Sequence, residues 1–148
     1  MRCASVLLLV AMLPAAVAAQ EKEVLKVPGA VAGLPFSPAV RVGNVIYLSG
    51  QLGNVLGTRT VVPGGIREET RQTFANMRAV LEAAGSSLDR VFKCTVFLAD
   101  ISEYAAMNEV YATFFPVDPP ARSTVAGSGL ALGARVEIEC MATAGEVR

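Results

Sequence analysis

The chain has 148 residues, 53% of them hydrophobic, with 13 Lys+Arg balancing 13 Asp+Glu. It contains no histidine and only three cysteines. This excludes Ser-His triads, Cys-His dyads, histidine zinc sites and thiolate clusters, and leaves acid–base chemistry to carboxylates, lysines or tyrosines. The balanced charge gives no electrostatic reason to expect nucleic acid or anionic membrane as a partner.

The first residues read as a secretory leader. Arg2 precedes an apolar run from Val6 to Leu13 that is too short to span a bilayer, and Ala16-Val17-Ala18 gives an A-x-A cleavage pattern. The expectation is a signal peptide over residues 1–18, cleaved near 18–20, and a secreted protein of the bacterial periplasm. Residues 19–148 then form a single domain, with no other run long enough to cross a membrane.

Glu21 to Val27 is a short lead-in with extended character, followed by a Gly/Pro-punctuated stretch from Pro28 to Pro38. Two β-rich runs, Ala39 to Val42 and Val45 to Ser49, are split by Gly43-Asn44, a two-residue hairpin signal. Gly50 to Gly65 reads as a long connection. Phe74, Met77, Leu81 and Ala84 then fall at i, i+3, i+7 and i+10, which predicts a helix over about 67–84 ended by Gly85. Val91 to Leu98 reads as a strand.

Asp100 and Glu103 have capping-box spacing ahead of a second helix, on which Tyr104, Met107, Tyr111 and Phe114 repeat the same face. Both helical faces read as core. Pro116, Pro119 and Pro120 stop this helix, and strands over Ala121 to Ala126 and Arg135 to Ala142 follow. The order β-β-α-β-α-β-β predicts an α+β fold, two helices on one face of a mixed sheet. Alternation in the last strand puts Val136, Ile138 and Cys140 on one side and Glu137, Glu139 and Met141 on the other.

Several segments, in order, resemble the reactive intermediate deaminase (RidA/YjgF) family. They include Leu34 to Val40, Tyr47-Leu48-Ser49-Gly50-Gln51, Gln72-Thr73 with Asn76, Ala83-Ala84-Gly85, and Lys93 with Thr95 to Phe97. Gly43-Asn44, Asp100, Asn108, Tyr111, Phe114-Phe115, Pro120-Ala121-Arg122-Ser123 and Val136-Glu137-Ile138-Glu139 complete the set. The resemblance implies a chorismate-mutase-like fold in which three subunits pack their sheets into a central barrel, with one cleft at each subunit interface. It also implies hydrolysis of small 2-imino acids to 2-keto acids and ammonia, without metal or organic cofactor.

On that resemblance, Arg122 grips the substrate carboxylate with its planar fork and Glu139 activates water or shuttles a proton. Phe36, Ser49, Gly50, Asn108 and Thr124 are the candidate substrate-binding residues. Where the family usually has Gly-Pro-Tyr-Ser-Gln, this chain has Leu34-Pro35-Phe36-Ser37-Pro38, and Thr124 stands where a cysteine often follows Ala-Arg-Ser. Taken without the family, Arg122 and Glu139 read instead as a structural ion pair. The competing functions are a small-carboxylate binder or a chaperone-like holdase on the same trimer; ribonuclease activity has least support. The family's strand order also makes the strands of Cys94 and Cys140 neighbours. The expectation is that these two stay free and buried on the helix-facing side.

Overall fold

The computed structural model describes residues 20–145; the expected leader lies outside them. The elements are β1 (Lys22–Leu25), β2 (Ala39–Val42), β3 (Val45–Leu48), β4 (Gln51–Leu52), α1 (Gly65–Ala83), β5 (Val91–Leu98), α2 (Tyr104–Phe114), β6 (Ala121–Ala126) and β7 (Val136–Thr143). The sheet runs β1-β2-β3-β7-β5-β6, with β4 also pairing β7. Only β5 and β6 run parallel; every other pair is antiparallel. The expected α+β architecture is the one observed.

The β2–β3 hairpin turns on Gly43-Asn44, with Val42 opposite Val45 and Gly43 at φ 58°. Glycine accepts that left-handed geometry without steric cost. The stretch from Gly50 to Gly65 holds more structure than its composition indicated. Gln51 and Leu52 pair with Ile138 and Glu137, and Asn54 bridges Val61. Helix α1 closes on Gly85 at φ 71°, with Gly85 N–H donating to Glu82 O and Ser86 N–H to Leu81 O. Those two bonds make a Schellman motif.

The capping box forms only in half. Asp100 accepts from Ser102 N–H at 2.8 Å and caps a 3-10 turn over Ile101–Glu103. The Glu103 carboxylate does not reach back to the cap. It forks onto Arg135 Nε at 2.7 and 2.9 Å instead, because a charged partner across the fold outcompetes a single backbone donor.

Both helices pack on one face of the sheet. Phe74, Met77, Leu81, Val96, Leu98, Met107, Val136 and Ile138 are fully buried there. Phe74 stacks on Phe114 at 4.4 Å and meets Tyr111 and Phe115 edge-on at 5.3 and 5.6 Å. On the opposite face, sheet register sets Val24, Val40, Tyr47 and Met141 in one row across four strands. No element of the described chain covers that row, and Tyr47 stays 39% exposed.

Cys94 and Cys140 are directly opposite on β5 and β7, on the helix side as the alternation requires. The expectation that they stay free fails: they are joined in a disulfide. Their Cα atoms are 4.1 Å apart, the close approach that antiparallel strands give at alternate pairs.

Candidate functional site

Arg122 sits on β6 in register with Cys94 and therefore points to the helix side of the sheet. Its guanidinium carbon lies 4.4 Å from the Tyr111 ring centroid and 5.6 Å from that of Tyr104. Its Nη2 donates to the Tyr104 hydroxyl at 3.1 Å. Stacking on two aromatic faces fixes the planar fork while leaving its other donors available. Among the described residues no carboxylate forms an ion pair with it.

A cleft of about 600 Å³ surrounds this guanidinium, walled by Asn108, Tyr111, Phe115, Pro120 and Thr124 among others. Asn108 Oδ1, Tyr111 Oη and Thr124 Oγ1 are all buried there without a hydrogen-bond partner. Each such orphan costs about 1–3 kcal/mol, so three in one cleft mark a place prepared for polar atoms from outside the chain. The neighbouring Asn108 amide, and then Arg122, hold the Tyr104 hydroxyl below its ordinary pKa. Burial raises that of Tyr111 against the opposing pull of Arg122.

These positions correct the expectation that the Tyr104/Met107/Tyr111 face is core. Met107 is fully buried, but Tyr104 is 40% exposed and, with Tyr111, lines the Arg122 cleft. The apolar period continues through Tyr104, whose ring meets the Arg122 guanidinium and does not enter the interior.

Glu139 is elsewhere. It lies opposite Thr95 on the face away from the helices, in a shallow depression with Tyr47, Lys93 and Met141. Arg122 and Glu139 of one chain therefore project from opposite faces of the sheet. Neither an ion pair nor a common cleft joins them within a subunit.

Ser49 and Gly50 follow β3 and line a second cavity together with Phe36. Ser49 Oγ donates to Ser37 O at 2.6 Å, tying the segment before β2 onto the sheet. Gly50 lies against Glu137: a Cβ added to this glycine would overlap the Glu137 carboxylate. Glu137 is half-buried, and burial first, then Glu139, raises its carboxyl above the usual pKa. That makes it a better proton acceptor than an exposed glutamate. Glu137 is the residue that sequence reasoning passed over. Alternation places it on the same face as Glu139 and so cannot rank the two; the distinguishing signal is Gly50, whose missing side chain leaves room for one carboxylate.

Apart from Glu139, the candidate residues form two groups. Arg122, Asn108 and Thr124 share one cleft, while Phe36, Ser49 and Gly50 share another whose rim meets Glu137.

Comparison with known proteins places the chain in a family. Residues 27–144 match the family described as endoribonuclease L-PSP. The chain is 47% identical over 105 residues to the 2-iminobutanoate/2-iminopropanoate deaminase of Dermatophagoides farinae, covering 71% of this chain and 82% of the relative. It is 40% identical over 124 residues to the chloroplastic Reactive Intermediate Deaminase A of Arabidopsis thaliana, covering 83% of this chain and 66% of that longer relative. It is 46% identical over 113 residues to the mitochondrial protein mmf2 of Schizosaccharomyces pombe, covering 74% of this chain and 88% of the relative.

Among solved structures, RidA from the Antarctic bacterium Psychrobacter superposes with a TM-score of 0.76 at 38% identity, over 82% of this chain and 98% of its own. The YjgF gene product of E. coli gives 0.75 at 32% identity, over 82% and 98%.

The relatives overturn the expectation of a secreted, periplasmic protein. Those named by compartment are chloroplastic and mitochondrial. What the match establishes is kinship across nearly all of the described chain: it belongs to the endoribonuclease L-PSP family, the family of RidA and YjgF.

Proposed function

We propose that the protein hydrolyses 2-imino acids to 2-keto acids and ammonia, at a site assembled between neighbouring subunits of a homotrimer. The observation that carries this reading is the Arg122 cleft, where a stacked guanidinium free of any described carboxylate stands beside three buried, unpartnered polar atoms. A planar carboxylate next to a polar C=N group matches both features. The names of the relatives, 2-iminobutanoate/2-iminopropanoate deaminase among them, support the same chemistry.

In this reading the carboxylate docks on Arg122, and Asn108 and Thr124 hold the imine end. Glu137 of an adjacent subunit, beside its Gly50, takes a proton from water as the oxygen attacks the imine carbon. That proton passes to the imine nitrogen to complete the carbinolamine. The carbinolamine hydroxyl then gives up its proton, which Glu137 carries to the amino nitrogen. As the C=O bond forms, the C–N bond breaks and ammonia leaves a 2-keto acid. The two halves lie on separate surfaces of one chain, and the uncovered row of Val24, Val40, Tyr47 and Met141 supplies an apolar sheet face for subunit contact. Glu137 replaces Glu139 as the proton carrier; the Glu139 charge makes its neighbour more basic.

The test generates imino acids with an amino-acid oxidase and traps those that escape with semicarbazide. Wild type and Arg122→Ala are compared, with light scattering to follow the trimer. Suppressed trapping by wild type alone, both proteins being trimeric, supports the reading. Equal trapping with wild type and with buffer overturns it and leaves a binder of small carboxylates on the same fold. A monomeric wild type overturns the shared site.

A further inference from the structure

The second cavity, of about 350 Å³, has a chemistry the deaminase reading does not use. Its walls include Val31, Leu34, Phe36, Leu52, Leu56 and Val80. Several of the polar side chains that reach it are already engaged. Asn76 Nδ2 donates to Leu52 O at 2.9 Å and Asn54 O at 2.8 Å, and its Oδ1 accepts from Gln72 at 2.8 Å. Ser49 Oγ is held by Ser37 O, Gln51 Nε2 by Ser49 O at 2.9 Å, and Thr58 Oγ1 by Val55 O at 2.8 Å. Phe36 and Pro38 add no side-chain donor or acceptor to this wall. A polar guest would find few partners there, and Arg59 brings the one cation.

The position matters as much as the lining. The cavity includes Ser49, Gly50 and Gln51, so its inner end reaches the backbone against which Glu137 packs. Leu34, Phe36, Leu56 and Leu132 remain exposed around it, an apolar concavity large enough for a small molecule. A substrate held beside Glu137 and Gly50 is therefore adjacent to this space.

We infer that this cavity is a side-chain pocket that selects 2-imino acids carrying branched or long apolar side chains over those with a methyl or ethyl group. The inference rests on the deaminase reading and names its preferred substrate class. One buried methylene separates competing substrates by roughly ten- to two-hundredfold in kcat/KM, so the preference is measurable.

The experiment compares the full-length protein with Ala131→Phe, which narrows the pocket from a solvent-facing wall, and with Ala30→Leu as a milder version. Each is assayed on the imino acids made from leucine and from alanine. The expected wild-type kcat/KM ratio favours the leucine imine at least tenfold, and Ala131→Phe lowers that ratio at least tenfold. A wild-type ratio near one, or a ratio unmoved by both substitutions, overturns the pocket while leaving the deaminase intact.

If neither imine is turned over, the deaminase reading fails, and calorimetry with 4-methyl-2-oxopentanoate and pyruvate decides the pocket. At least tenfold tighter binding of the branched acid, lost in Ala131→Phe, sustains it. Equal binding overturns it.

Discussion

The Glu137 carboxylate rests against the bare backbone of Gly50, at a point where any side chain on residue 50 would occupy the same space. The contact joins the end of the β3 segment to β7, and it accounts for a glycine where strand geometry alone would accept a larger residue. Gly50→Ala should therefore displace the flexible carboxylate and leave the fold intact. The expected result is a loss of kcat of tenfold or more with the thermal midpoint nearly unchanged. A fully active variant would show that Glu137 is free to move without cost.

Glu137 gives a pH signature. Burial and the Glu139 charge raise its folded-state pKa, so the acid limb of kcat/KM should lie above the ordinary glutamate range of about 4.3. Glu139→Gln should move that limb toward lower pH, and Glu137→Gln should abolish turnover. Stability runs the other way. A raised folded pKa contributes stability that is fully present below the unfolded value and is lost as pH rises through the folded one. Glu137→Gln should thus be at least as stable as wild type at pH 7–8, measured by urea unfolding at several pH values.

Arg122 is held by ring faces as much as by hydrogen bonds, and lysine copies neither its plane nor its fork. Arg122→Lys should lower kcat/KM by about ten- to 150-fold, the loss of one charged hydrogen bond worth about 1.5–3 kcal/mol. An imine ester, with no carboxylate, should lose much less. Equal losses on acid and ester would remove carboxylate recognition from the account of this residue.

The Cys94–Cys140 bond closes a loop between residues 46 apart in sequence. Loop entropy alone predicts a stabilisation of about 4 kcal/mol. Reduction, or the double variant Cys94→Ala/Cys140→Ala, should lower the urea midpoint accordingly, and reductant should have no further effect on the variant. Unchanged wild-type stability under reductant would show that packing already fixes this strand pair.

Glu69 is buried on α1 at 4% exposure and accepts the Arg135 backbone N–H at 2.7 Å. It anchors the start of β7 and lies in neither cleft. Glu69→Ala orphans a backbone donor and should cost about 1–3 kcal/mol of stability. The relative turnover of leucine- and alanine-derived imines should stay constant, since no substrate contact is altered.

Much of the fold was legible because its elements repeat at their own periods. Gly43-Asn44 marks the hairpin, β5 and β6 match their expected bounds, and Phe74, Met77 and Leu81 are buried as a helical face. Where two positions satisfy one rule, the pattern falls silent. Glu137 and Glu139 share a sheet face, and Tyr104 shares a helical period with Met107. The contact with Gly50 separates the first pair and burial the second, and both depend on segments distant in sequence. The same holds for β4, only two residues long and too short to show a period. Cys94 and Cys140 became partners through strand register, which cysteine spacing does not encode.

The strand order carries a consequence for how the molecule comes into being. β7, last in sequence among these strands, lies between β3 and β5. Until it is synthesised, the β1–β2–β3 meander and the β5–β6 pair have no common neighbour and each presents a bare edge. Such edges are templates for pairing with other chains. A chain without β7 therefore has two incomplete half-sheets, and this single strand, apolar on its inner side, turns them into one. Truncations that remove β7 should aggregate, whereas those that remove only β1, at the sheet's outer margin, should remain folded.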